Sequence, residues 1–154
     1  MVAQIKIKEN TIQVSKYIER LGRKFPKAIE QSLNRVSALA TKDITKITQS
    51  GGLPDGGRMR PYHPSTVKDR ARRKRETGFV TLTDSGQMFR SLTWQATKTK
   101  SSLFFRRQTE DEKAFFHDTG AGHLPKRPFF RIGKKTEKEI HKRFAQHLFR
   151  LTGV

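Results

Sequence analysis

Between Pro26 and Gln49 the apolar residues keep a helical step. Ile29, Leu33, Val36, Ala40, Ile44 and Ile47 recur at intervals of four and three, which places them on one face of an α-helix. Lys27, Glu30, Gln31, Asn34, Arg35, Lys42, Asp43 and Lys46 occupy the other face. Pro26 suits the first helical position, where a missing N–H costs nothing, and Gly51-Gly52 closes the run. A helix of about 24 residues would be roughly 36 Å long, and a one-sided stripe of that length needs a surface to cover it.

The same periodicity returns near the C-terminus. Ile140, Phe144, Leu148 and Leu151 predict a second amphipathic helix over Lys135 to Leu151, with Lys138, Lys142, Arg143 and Arg150 on its basic face. At the other end, Gln4 to Lys8 alternates as a short strand does. Asn10 or Thr11 would cap a first short helix carrying Ile12, Val14, Tyr17, Ile18 and Leu21, with Gly22 to Phe25 as the bend into the long helix.

The middle of the chain reads as extended pieces and turns. Phe79 to Leu82 looks like a strand entry, and Thr83 or Asp84 a cap for one helical turn through Arg90. Leu92, Trp94 and Ala96 alternate with Thr93 and Gln95, a strand with one buried face. Thr97 to Ser102 is the polar turn, and Leu103 to Arg107 the return strand. Ala114 to Asp118 follows a charged turn and ends at Thr119-Gly-Ala-Gly122. Pro125 to Ile132 is stiffened by its prolines. The sum is an α+β fold: a small, mostly antiparallel sheet packed with a long helix in the N-terminal half and a C-terminal helix.

One segment resists packing. Ser50 to Gly57 is dense in turn formers, and it leads into Arg58, Arg60, Lys68, Arg70, Arg72, Arg73, Lys74 and Arg75, with only Asp69 and Glu76 opposing them. Ser65 or Thr66 would cap a short helix to Arg75. With few apolar residues, positions 51–78 read as a long exposed basic loop, either simply solvated or ordering against a partner chain or DNA.

Composition sharpens this picture. The 154 residues predict one domain. Apolar residues make up 33% and charged residues 31%, so the core is modest; the net charge of +19 calls for a polyanionic or acidic neighbour, or sister subunits that bring compensating charge. The absence of cysteine excludes disulfides, thiolate zinc sites and thiol catalysis, and fits synthesis in a reducing cytoplasm. No apolar run approaches the roughly 18–20 residues of a membrane span, and the N-terminus lacks the apolar core of a signal peptide.

Candidate chemistry is sparse. His117, Asp118 and His123 lie near each other on a glycine-rich segment, but His141 and His147 are on different faces of their helix, and no HExxH, no DxD-type pair and no paired carboxylates in an apolar setting occur. There is no GxSxG elbow, and neither glycine pair is followed by the Lys-Ser/Thr of a phosphate loop. Catalytic, cofactor and metal sites are therefore not expected. The doubled phenylalanines Phe104-Phe105, Phe115-Phe116 and Phe129-Phe130 suit a split between core and subunit contact better than base stacking.

The order of the motifs adds a resemblance. Pro54-Asp-Gly56 precedes Tyr62-His-Pro-Ser-Thr66-Val-Lys68. Then come Leu82-Thr-Asp-Ser-Gly86-Gln-Met-Phe-Arg-Ser91-Leu92, Ala114-Phe-Phe-His117-Asp-Thr-Gly120, and Lys126-Arg127-Pro128-Phe129-Phe130. This succession, over Leu53 to Ile132, resembles the virion-morphogenesis and tail-completion proteins of long-tailed bacteriophages, the Mu- and P2-like group. The resemblance implies a non-enzymatic virion protein assembled in the host cytoplasm. Its copies would form a ring, expected to be six-fold, at the neck or tail top. The ring would meet neck or connector proteins on one side and tail-tube or terminator proteins on the other, with DNA passing through its lumen and no membrane involved. Gly86, Gly120 and Pro128 are the expected structural turns. The expected subunit or partner contacts are Arg58, Arg60, Tyr62, Arg70, Arg72, Arg73, Lys74, Arg75, Phe116, Phe129 and Phe130. The alternative is a small basic nucleic-acid-binding protein.

Overall fold

The computed structural model describes residues 10–153, so the strand expected at Gln4 to Lys8 lies outside the described residues. Five helices and one hairpin follow in order: α1 (Asn10–Gln49), α2 (Pro64–Arg72), α3 (Gln87–Ser91), β1 (Leu92–Ala96), β2 (Ser101–Phe105), α4 (Gln108–Thr119) and α5 (Lys134–Thr152), with a 3₁₀ turn at Ala121–His123. The fold is α+β, as expected. Among the described residues its sheet is one antiparallel hairpin pairing Leu92 with Phe105 through Ala96 with Ser101.

Helix α1 corrects the expected bend at Gly22 to Phe25. It runs unbroken for 40 residues with Pro26 inside it rather than at its start. A proline's φ is already helical, so the chain can pass through Pro26. The cost is the bond to the Gly22 carbonyl one turn back and roughly 3 kcal/mol of helix propensity. The buried face is also offset from the expected stripe. Val36, Ala40 and Ile44 are buried, but so are Ala28, Ser32, Ser37 and Thr48, whereas Ile29, Leu33 and Ile47 are only half-buried. Small residues fill this line because α1 is covered from two sides, by the hairpin and by α5. Polar ties mark both contacts. The Trp94 indole N–H donates to Asn34 Oδ1 at 3.1 Å, and the Ser37 and Ser101 hydroxyls lie 2.6 Å apart. On the other side Ser32 Oγ meets His147 Nδ1 at 3.0 Å, and the Thr136 hydroxyl donates to Asp43.

Those last two ties set the direction of α5. They are eleven residues apart on each helix and run in opposite senses, so α5 lies antiparallel to α1. Five residues past His147, α5 ends at Thr152, level with Lys27 on α1. The hairpin tip stops at the same level, where Lys98 lines a groove with Gly22, Arg23, Pro26 and Lys27. Residues 10–21 therefore extend about 18 Å past both covering elements. Tyr17 and Ile18 on this arm are 51% and 61% exposed.

The main core gathers around the C-terminal end of α1. Ile44, Met59, Val80, Leu82, Met88, Phe89, Leu92, Phe105, Ala114 and Phe129 form one buried cluster. Val80 and Leu82 are buried as a strand entry would require, but no strand forms there. Leu82 takes a φ of 48°, and the Thr81 and Thr83 hydroxyls bond locally instead of to a ladder. The one-turn helix after it begins later than expected, at Gln87. Gly86 is its cap at a φ of 75°, and neither Thr83 nor Asp84 serves. Helix α4 forms where the sequence shows a charged turn; its charged first half hides the helical pattern, since only Glu110 and Ala114 are buried.

Candidate partner-binding surface

The basic loop is folded. Helix α2 starts at Pro64, and its cap is His63, whose Nδ1 accepts from the Ser65 amide, rather than Ser65 or Thr66. Met59 enters the core. Arg70, 5% exposed, donates from Nε to the Glu76 carbonyl at 2.8 Å and from Nη2 to the Thr83 carbonyl at 3.1 Å. That single guanidinium ties α2 to two points on the chain that follows it. It also lies 4.7 Å from the Tyr62 ring centroid, a cation–π contact.

Arg127 approaches the same ring, at 5.4 Å. It is 3% exposed, and its fork donates to the Arg60 and Pro61 carbonyls at 3.0 and 3.1 Å. Burial lowers its pKa from the ordinary value, Tyr62 opposes this, and Arg60 adds to it; arginine stays charged throughout. Neither Arg70 nor Arg127 pairs with a carboxylate among the described residues. Two buried cations are thus held by backbone carbonyls and one aromatic ring.

The later motifs lock onto this layer. The Arg127 amide donates to the His117 carbonyl at 2.8 Å, and the Phe130 amide to Asp118 Oδ1 at 2.8 Å. Gly120 ends α4 at a φ of 81°, where a Cβ would stand 3.0 Å from that of Lys126. Pro128 sits between the buried Arg127 and Phe129. The His117 ring is pressed into this packing: burial, then the Arg127 charge, hold its pKa below the usual histidine value.

The expected contact residues separate into two groups. Phe129 is 0% exposed and packs edge-on against Phe89 at 6.2 Å, so in this chain it is core. Phe130 is half-buried against Phe105 at 5.1 Å, and Tyr62 is half-buried under the two arginines. Arg70 is buried. Arg72 and Arg73 reach Asp69 at 2.8 and 2.6 Å, Arg73 also reaches Asp84 at 2.7 Å, and Arg75 lies 3.6 Å from Asp84. Arg58, Arg60 and Lys74 are exposed and make no ion pair among the described residues. Phe116 is exposed too, stacked 6.0 Å from an exposed Phe115, with Leu124 exposed nearby in the chain. The doubled phenylalanines split between core and surface only at Phe104-Phe105; Phe129 and Phe130 both pack on the core, and both members are exposed at Phe115-Phe116. The exposed arm of α1 is not legible in the sequence, where its pattern reads as an ordinary short helix.

Among the described residues no three His, Asp or Glu side chains gather as a metal site would require, and no helix is long and apolar enough to cross a membrane. The motifs thus build one packed layer of an α+β protein, with Arg58, Arg60, Lys74, Phe115 and Phe116 left on its outside. The sequence pattern of the phage virion morphogenesis family matches residues 9–149, and the chain belongs to that family. Its role is structural, in assembly of the phage virion. No curated protein and no solved structure matches the chain.

Proposed function

We propose that the chain is a subunit of the neck or tail-completion ring, joining the tail to the head–neck connector around the DNA channel. One observation carries the reading: α1 outruns its own domain. Residues 10–21 lie past both α5 and the hairpin tip and expose Tyr17 and Ile18. A helical arm of about this length is marginal in water by itself, and apolar residues on it are covered when the arm lies on another subunit. An arm that reaches from one copy to the next is a heterologous contact, and heterologous contacts that close make rings. The six-fold copy number follows from the family resemblance. The exposed cations Arg58, Arg60 and Lys74 and the Phe115-Phe116 pair are the remaining candidates for contact with adjoining neck or tail rings.

Native mass spectrometry with negative-stain imaging tests this. The wild-type chain, alone or mixed with its neighbouring neck and tail proteins, should give closed rings. The double variant Tyr17→Ser, Ile18→Ser should stay folded, with an unchanged Tm, and lose them. A wild-type monomer that ignores those proteins, or rings that survive the double variant, would overturn the proposal.

A further inference from the structure

The charge of +19 is not spread evenly over usable sites. In the densest run of the sequence, around α2, Arg70 is buried on backbone carbonyls, and Arg72, Arg73 and Arg75 are drawn to Asp69 and Asp84 at the surface. A second concentration is visible only in three dimensions. Where α5 crosses α1, a cleft of about 410 Å³ is lined by Arg35 from α1 and by Glu139, Lys142, Arg143, Gln146, His147 and Arg150 from α5. Four cations face one carboxylate there. That carboxylate, Glu139, is engaged by Arg143 at 2.5 Å, which holds its pKa below the usual range. Arg35, Lys142 and Arg150 make no ion pair among the described residues.

We infer that this α1–α5 cleft is a phosphate-backbone site for duplex DNA, and that it marks the face the subunit turns toward the DNA channel. The second half rests on the ring reading above; the first half does not. The chemistry fits a phosphate better than a carboxylate-bearing protein. Two guanidinium groups and an ammonium are uncommitted, Gln146 adds an amide donor, and there is no apolar floor to hold a side chain. Arginine forks match phosphate oxygens directly. The cleft lies along a helix pair rather than at a single point, so successive phosphates can be met by residues one and two turns apart on α5. His147 is held on the cleft wall by Ser32. Burial, then Arg150 and Arg35, depress its pKa; a bound phosphate would offset the two guanidinium charges and raise it.

The test uses the full-length protein and a fluorescent duplex of about 20 base pairs, followed by anisotropy across a salt series. The variant Arg35→Gln, Lys142→Gln, Arg150→Gln leaves the Arg143–Glu139 pair intact. A charge-matched control, Lys68→Gln, Lys100→Gln, Arg106→Gln, removes three exposed cations elsewhere. The cleft variant should bind at least about tenfold more weakly, with a salt slope shallower by about 2–3, since each phosphate contact contributes about 0.9 to the slope. The control should change by about twofold or less. Equal losses in the two variants, or none in the cleft variant, would overturn the inference. A measurement on the wild type does not depend on the variants folding: saturating duplex should shift the His147 ring signals in NMR, and silence there would overturn it too. Ring formation scores the other reading separately. Rings whose DNA affinity ignores the cleft variant sink this inference alone, whereas a permanent monomer that binds duplex through the cleft sinks the ring reading alone.

Discussion

The backbone of Gly133 lies against the carbonyl of Pro54: a Cβ built at position 133 would stand 2.2 Å from the Pro54 oxygen. This contact joins the turn after α1 to the first residue before α5. Its φ of −75° is ordinary, so the glycine is required by space and not by conformation. Gly133→Ala should force the two segments apart and cost about 1–3 kcal/mol. Thermal denaturation reads this as a lowered Tm, and an unchanged Tm would show that the segments separate freely.

Arg127 and Arg73 make a contrast of buried and exposed cations. Arg127→Lys removes the fork from the Arg60 and Pro61 carbonyls and leaves a buried site that an ammonium cannot satisfy in the same geometry. The expected loss is about 2–4 kcal/mol in urea unfolding. Arg73→Gln breaks two ion pairs that face solvent, to Asp69 and Asp84, and should leave the urea midpoint where it was. Equal effects from the two changes would contradict this division between a buried and an exposed cation.

Stability should fall on mild acidification through His117. Its folded pKa lies below the usual histidine value, chiefly through burial, so the native state favours the neutral ring. The unfolded chain binds the proton more readily, and stability therefore rises with pH in this window. The contribution is complete above the unfolded value of about 6.5 and is lost as pH falls toward the lower folded value. Urea midpoints between about pH 7.5 and 5 should decline in the wild type, and the slope should shrink in His117→Gln. A wild-type midpoint independent of pH would refute the assignment.

The exposed loop cations offer the cleanest test of head–tail joining. Arg58→Glu, Lys74→Glu breaks no ion pair among the described residues, and it leaves alone Arg60, whose charge bears on the buried Arg127. The variant should fold normally and fail to join heads to tails in a complementation assay. Reversing Arg72, Arg73 and Arg75 is a poorer probe, because it places like charges against Asp69 and Asp84 and disturbs α2 as well. Normal virion yield from the first variant would remove the loop from the joining surface.

The sequence by itself determined the elements with clear periodicity. The body of α1, the hairpin alternating at Leu92, Trp94 and Ala96, and α5 were legible because each repeats its pattern long enough to average out single residues. The succession of short motifs also carried the resemblance to the family, through turn glycines such as Gly86 and Gly120 whose positive φ is a local demand. What the tertiary structure decided is where each side chain ended up. Arg70, Arg72, Arg73 and Arg75 look identical in a list of charges. Arg72 pairs with Asp69 within α2, but Arg70 is buried on carbonyls and Arg73 and Arg75 are drawn to Asp84 because α2 folds back on the chain after it. Ser32 and Ser37 became core because two elements press on α1 at once, an arrangement no single-helix pattern encodes. Arg35 and Arg150 are far apart in the chain and meet only because α5 runs antiparallel to α1. Local periodicity carries the first kind of information; long-range packing, which depends on both partners at once, carries the second.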